Sequence, residues 1–203
     1  MTQAMVTVDF YFDFISPFGY LSRFRLDEIV QQSGVIVRYH AIDLPTIKKA
    51  AGNTGPSNRD IPPKIIYLTE DLRRWAERYG VAMVERLAGA DTAGFNKGLY
   101  LALERGVAAD YVRHAWDCNW REGKDPGLVE TRVLLAQKMQ WDEKEFELYV
   151  NSDAAQQRYD QENREAIERG IFGVPTFAIG EQIWWGNDRL DFLQETIAQQ
   201  VGL

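Results

Sequence analysis

A chain of 203 residues with 45% hydrophobic and 12% aromatic content can bury a substantial core, which excludes a disordered polypeptide and suits one large domain or a small domain carrying an insertion. The net charge of −7 argues against nucleic acid or an anionic membrane as partner, because either demands a concentrated basic surface. One cysteine, Cys118, excludes an internal disulfide and a Cys-x-x-Cys redox pair, and two separated histidines, His40 and His114, give no zinc-ligand spacing.

Residues Met1 to Met5 hold no basic stretch followed by an apolar one, and no uncharged apolar run approaches the ~20 residues of a membrane span. A soluble, cytoplasmic protein is the expectation. Val6, Val8, Phe10, Phe12 and Phe14 then alternate on one face of a strand, with Thr7, Asp9 and Asp13 on the other. The chain turns at Ser16-Pro17 into a helix, since proline is tolerated in a first turn where its missing N–H has no partner. Phe18, Leu21, Leu26, Ile29 and Val30 supply the apolar stripe, and Gly34 ends it. Val35, Val37 and Tyr39 alternate again, completing a βαβ unit with a parallel strand pair.

After Leu44 the pattern changes. Residues 52–58 are a polar, turn-rich loop. Ile65, Leu68, Leu72, Trp75 and Tyr79 then recur at helical spacing, and further helices are expected near 91–105, 108–121, 127–139, 142–151 and 153–169. Strand character returns at Thr176-Phe177-Ala178-Ile179, turns at Gly180-Glu181 and pairs back through Ile183-Trp184-Trp185. Leu190, Leu193, Ile197 and Val201 mark a last helix. The βαβ…ββα order is that of an α/β, thioredoxin-like fold with an all-helical domain inserted in its middle. The expected division is 1–44 with 170–203 for the thioredoxin-like domain, and 45–169 for the insertion.

Four places can carry chemistry, and each also has a plain structural reading. Ser16 can simply cap its helix, a contribution of ~1 kcal/mol. The same hydroxyl and helix N-terminus can instead stabilise a bound thiolate, because a thiol of pKa about 8.5 is acidified by a helix N-terminus or a donated hydrogen bond. Ser16 has no histidine placed by sequence as its base, so the thiol has to come from a cofactor. Val174-Pro175 is either an ordinary strand start or a cis-proline that turns the Val174 N–H and C=O toward an extended peptide such as glutathione. In the Trp185-Gly186-Asn187-Asp188 stretch, Asn187 or Asp188 can cap the final helix. Alternatively, free N–H groups there hold a carboxylate and Asp188 holds an ammonium, as the γ-glutamyl end of glutathione requires. Lys48, Asn58 and Arg59 are either solvated loop residues or a small basic patch for a substrate carboxylate, with Lys64 a weaker member. Asp60 is a candidate cap for the helix that Pro62 begins. Cys118, Trp116, Trp120 and Trp141 read as core, and Trp184 and Trp185 flank the candidate site.

Phe10-Tyr11-Phe12-Asp13-Phe14-Ile15-Ser16-Pro17-Phe18, residues 52–60, Phe172-Gly173-Val174-Pro175-Thr176 and residues 184–189 together resemble the 2-hydroxychromene-2-carboxylate isomerases. These belong to the DsbA-like, kappa-class glutathione transferase group. The match runs nearly end to end, with four segments in order. It implies a homodimeric enzyme of naphthalene breakdown that uses glutathione to interconvert 2-hydroxychromene-2-carboxylate and trans-o-hydroxybenzylidenepyruvate. The implied roles are Ser16 for the thiolate, Val174, Trp185, Gly186, Asn187 and Asp188 for glutathione, and Lys48, Asn58 and Arg59 for the small aromatic carboxylate. One departure is that Val84-Glu85-Arg86-Leu87-Ala88-Gly89 replaces an aromatic- and proline-containing loop, so a substrate-facing tyrosine is missing around Gly89. The competing readings are a glutathione transferase or isomerase acting on another electrophile, and a non-catalytic thioredoxin-fold module that binds peptides through Val174. A disulfide oxidoreductase is the weakest reading, because position 16 is Ser.

Overall fold

The computed structural model describes residues 6–85 and 90–201. The alternating N-terminal segment forms β1 (Thr7–Phe12), which stops two residues short of Phe14. Asp13 turns the chain there, its carboxylate accepting from the Ile15 N–H at 3.1 Å and its carbonyl from the Ser16 N–H at 2.9 Å. Helix α1 (Pro17–Ser33) follows directly and ends at Gly34, whose φ of 69° suits a residue without a side chain. Strand β2 (Ile36–Ala41) lies parallel to β1, with Thr7 opposite Ile36 and Phe12 opposite Ala41. Strands β3 (Thr176–Ile179) and β4 (Gln182–Trp185) form the expected hairpin, and β3 runs antiparallel to β1. The sheet order is β2-β1-β3-β4. Except for helix α9 (Leu190–Val201), which follows the hairpin, the remaining helices lie between β2 and β3. The α/β thioredoxin-like fold with a helical insertion is what the chain adopts.

The inserted stretch contains α2 (Leu44–Ala50), α3 (Pro62–Tyr79), α4 (Ala93–Glu104), α5 (Ala108–Trp116), α6 (Val129–Lys138), α7 (Glu143–Val150) and α8 (Asp153–Glu168). Helix α5 passes into a π-helical segment, Asp117–Arg121. Helix α2 is absent from the sequence reading. It rests on Asp43, whose side chain accepts from the Thr46 N–H at 3.1 Å, and on Pro45 in its first turn. Helix α3 starts at Pro62 as expected, but its cap position is Ile61, and Asp60 lies in a short 3-10 turn instead. No helix among the described residues is long and apolar enough to cross a membrane.

One aromatic core joins sheet and helices. Phe10 stacks on Phe177 with centroids 4.8 Å apart, and the rings of Phe10, Phe12 and Phe14 all contact Trp116 of α5 at 4.8–5.9 Å. Phe14 then reaches Phe95 of α4 at 5.8 Å. The other face of the strand pattern, which carries Asp9 and Asp13, is also covered. Asp9 is 1% and Asp13 2% exposed. Alternation identifies which residues share a face but not what lies over it, and residues of α2, α4 and α8 cover this one.

Candidate functional site

Strand register places the candidate residues at one end of the sheet. Tyr11 lies opposite Thr176, so continuing the antiparallel register by two residues sets Val174 beside Asp13, at the start of the Ser16 turn. Thr176 also lies opposite Trp185, which brings the end of β4 to the same edge. The Asn187–Arg189 turn packs against α1. Ser16, Val174 and residues 185–188 therefore converge although more than 150 residues separate them in sequence.

Ser16 is the cap of α1. Its Oγ accepts from the Gly19 N–H at 3.1 Å, and only 6% of the residue is exposed. The capping reading is thus realised, and it leaves the hydroxyl proton free to donate at the positive end of the helix. Gly19 permits this packing, because a side chain there would stand 3.2 Å from Trp116 and 3.3 Å from the Ser16 Cβ. The turn is gripped by residues the sequence reading took as core or left aside. The Phe14 carbonyl accepts from Asn119 Nδ2 at 2.8 Å and from Trp120 Nε1 at 2.9 Å, and the Phe14 N–H donates to Asn96. Apart from Asp13 standing at a strand end, nothing local in the sequence announces these partners.

The Val174–Pro175 peptide is cis, the second of the two readings the sequence offers. Among the described residues no backbone hydrogen bond engages Val174, which is half-buried. The Pro175 carbonyl accepts from the Gly186 N–H at 2.9 Å, tying the two loops together. Gly173 lies tightly beneath Trp185, since a Cβ would come 2.7 Å from the indole nitrogen. Trp185 is 53% exposed and meets Phe172 edge-on at 5.0 Å. Gly186 has a φ of 115°, conformational space that favours glycine.

Neither Asn187 nor Asp188 caps a helix through its side chain among the described residues. Asn187 is 4% exposed; its Oδ1 accepts from the Tyr79 hydroxyl at 3.2 Å, and its buried Nδ2 has no partner among the described residues. Asp188 is exposed and pairs with Arg189 at 2.7 Å. Tyr79 was outside the sequence-based site, and no local signal connects it to a residue on the far side of the insertion.

Arg59 is the basic residue that reaches the Ser16 turn, its Nη2 donating to the Ile15 carbonyl at 3.4 Å. Burial lowers the guanidinium pKa from its ordinary value, with Asp13 and Asp60 opposing that trend. Lys48 is half-buried in the last turn of α2 and has no ion pair among the described residues. The Leu44 N–H at the start of that helix donates to Asp13 Oδ2 at 3.0 Å, and Lys48 follows roughly 6 Å along the axis. Asn58 is exposed, accepting from Lys64 at 3.0 Å. Cys118 is fully buried, and burial pushes its thiol up to about 12, so it supplies no thiolate. A groove of about 400 Å³ runs between α3 and residues 80–85. The substrate-facing position expected around Gly89 lies outside the described residues.

Similarity to known proteins runs over nearly the whole chain. The family model of the DSBA-like thioredoxin domain matches residues 7–198. A 2-hydroxychromene-2-carboxylate isomerase of Pseudomonas putida is 45% identical over 192 residues, covering 95% of this chain and 94% of that protein. The solved structure of a 2-hydroxychromene-2-carboxylate isomerase superposes with a TM-score of 0.90 at 44% identity, covering 95% of each chain. More distantly, glutathione S-transferase kappa 1 of Caenorhabditis elegans is 24% identical, covering 95% of this chain and 91% of that one.

Proposed function

The chain belongs to the DSBA-like thioredoxin family and, within it, to the 2-hydroxychromene-2-carboxylate isomerases, and from that membership we propose that it interconverts 2-hydroxychromene-2-carboxylate and trans-o-hydroxybenzylidenepyruvate with glutathione as cofactor. The observation that carries this reading is the meeting of a serine-capped helix N-terminus with the unengaged backbone of Val174 at one sheet end. A cysteine at position 16 would do its own thiol chemistry; a serine there, with Cys118 buried, fits a thiol brought from outside.

The residues present suit that peptide. Val174 offers an N–H and a C=O to an extended backbone. The Trp185–Asp188 stretch offers backbone N–H groups to the γ-glutamyl carboxylate, and the exposed Asp188 carboxylate can exchange Arg189 for its ammonium. Ser16 keeps its oxygen on the Gly19 N–H and turns its proton toward the sulfur, which favours the ionised form. Arg59 presents a forked donor to the substrate carboxylate beside Ser16, with Lys48 and Asn58 completing the patch. Glutathione held there would supply a thiolate as a nucleophile that can add reversibly to the conjugated substrate, and the residues above would bind it, orient it and keep it ionised. The same reading places the reaction in bacterial naphthalene breakdown, in the cytoplasm, with a homodimer as the active form.

The decisive experiment follows 2-hydroxychromene-2-carboxylate by ultraviolet absorbance with purified protein, with and without catalytic glutathione. Equilibration accelerated only when glutathione is present is the expected result. No acceleration would reject this substrate. The kappa-class relative favours a second reading, a glutathione transferase or isomerase acting on another electrophile. Stoichiometric consumption of glutathione marks the transferase, whereas an isomerase returns it.

A further inference from the structure

The Asp13 side chain joins two parts of the site. Its Oδ1 accepts from Thr92 Oγ1 at 2.6 Å, from Asn96 Nδ2 at 3.1 Å and from the Ile15 N–H at 3.1 Å, while Oδ2 accepts from the Leu44 N–H at 3.0 Å. Its backbone carbonyl takes the Ser16 N–H at 2.9 Å. One buried carboxylate is therefore bonded to the turn that presents Ser16 and to the first residue of the helix that carries Lys48. Thr92 and Asn96 fix that carboxylate from the cap and first turn of α4, and Asn96 also accepts from the Phe14 N–H at 3.3 Å. Thr92 and Asn96 are themselves 5% and 0% exposed, so water does not substitute for them.

A buried carboxylate is costly unless its lone pairs are filled, and here they are filled by four groups from three separate segments, the Ser16 turn, α2 and α4. No ammonium or guanidinium bonds it directly among the described residues; Arg59 acts on it only through space. We propose that Asp13 is the positioning residue of this site: it sets the spacing between the Ser16 turn and the Lys48 helix, with Thr92 and Asn96 holding it in register. The chemical consequence rests on the isomerase reading, whereas the positioning itself does not.

Thr92→Val keeps the side-chain shape and removes one donor, Thr92→Ser restores the donor, and Asp13→Asn removes the charge and puts an amide where the Leu44 N–H needs an acceptor. Turnover of 2-hydroxychromene-2-carboxylate is expected to fall about threefold to tenfold in Thr92→Val and further in Asp13→Asn, with the KM for glutathione unchanged and Thr92→Ser close to wild type. In parallel, amide hydrogen exchange at Ile15 and Leu44 is expected to accelerate in both weakened variants while the slowest β1 amides keep their protection. Unchanged exchange at those two amides, or an even loss of protection along the chain, would overturn the positioning role. Should Asp13→Asn fail to fold, Thr92→Val decides alone. A wild-type protein with no glutathione-dependent turnover would count against the isomerase reading only, since the exchange measurement still decides this one.

Discussion

At the scale of single residues, the site depends on a hydroxyl and on a missing side chain. Ser16 uses its oxygen lone pair on the Gly19 N–H, so Ser16→Ala removes the proposed donor to the thiolate and one helix cap together. A hydrogen bond to a charged group contributes about 1.5–3 kcal/mol, so kcat should fall about tenfold to a hundredfold. The KM for glutathione should move little, because the remaining contacts to that peptide lie elsewhere. Steady-state kinetics in both substrates checks this, and unchanged turnover would remove Ser16 from the mechanism. Gly173 acts through absence. The Cβ of Gly173→Ala would meet the Trp185 indole at 2.7 Å, and the exposed ring is the side that gives way. Displacing that ring should raise the KM for glutathione about fivefold, equivalent to ~1 kcal/mol, with kcat nearly unaltered. Isothermal titration with glutathione provides the direct measurement; wild-type affinity in the variant would remove Trp185 from the glutathione site.

At the scale of elements, β1, β2, α8 and the β3–β4 turn are joined by a charge cluster on the face of the sheet away from the aromatic core. Asp9 accepts from Arg38 at 2.6 and 3.0 Å and from Arg169 at 2.7 Å, and His40 stands between Asp9 and Glu162 at 3.2 and 3.1 Å. Burial alone would raise the Asp9 pKa, but the bonds from His40, Arg38 and Arg169 outweigh it and hold the carboxyl well below its ordinary range. Burial likewise would lower His40, and its two carboxylate partners raise it above its ordinary 6.5. The His40 contribution to stability is therefore fully present below pH 6.5 and lost as pH rises through the higher folded value. The Asp9 contribution is present above pH 3.8 and lost as pH falls through the lower folded value. The gap in melting temperature between wild type and His40→Gln should accordingly be widest between those two limits and narrow as pH rises through the raised folded value. A gap constant with pH would mean that folding leaves the His40 pKa where it stands in the unfolded chain. Such a cluster was not legible in the sequence, because Asp9 and Glu162 lie far apart and only the fold covers Asp9. Alternation over Val6 to Phe12 and the Gly180-Glu181 turn made the sheet readable, and Ser16 and Val174 followed from their places at strand ends. Helix α2 was missed because seven residues are too few to show a period, although Asp43 and Pro45 mark its start. Tyr79 could not be read as a partner of Asn187, since the two are 108 positions apart and both look like ordinary helix-end residues.

At the scale of the whole molecule, the helical stretch is interposed in sequence but not separate in packing. Val8, Phe10, Phe12 and Phe177 of the sheet belong to the same buried cluster as Phe95 and Leu99 of α4, Tyr111 and Trp116 of α5, and Phe146 of α7. Phe14 is the hinge of that cluster, for it leaves the strand end, contacts Phe95, Tyr111 and Trp116, and has its backbone held by Asn96, Asn119 and Trp120. Two units that shared only a loop would open independently. Units that share an aromatic core cannot, because separating them exposes the largest rings of both. Sheet and helices should therefore unfold in one transition, and native-state hydrogen exchange should give the slowest amides of β1, α4 and α5 a common, denaturant-dependent opening energy. Phe14→Ala should lower that shared value by about 3–5 kcal/mol, the usual cost of emptying a buried phenylalanine site. If α4 and α5 instead opened at their own lower energy while β1 stayed protected, the helical stretch would be a separately folding lid. The Ser16 turn would then rest on the sheet alone whenever the helices open, since the bonds from Asn96, Asn119 and Trp120 to Phe14 would be lost with them.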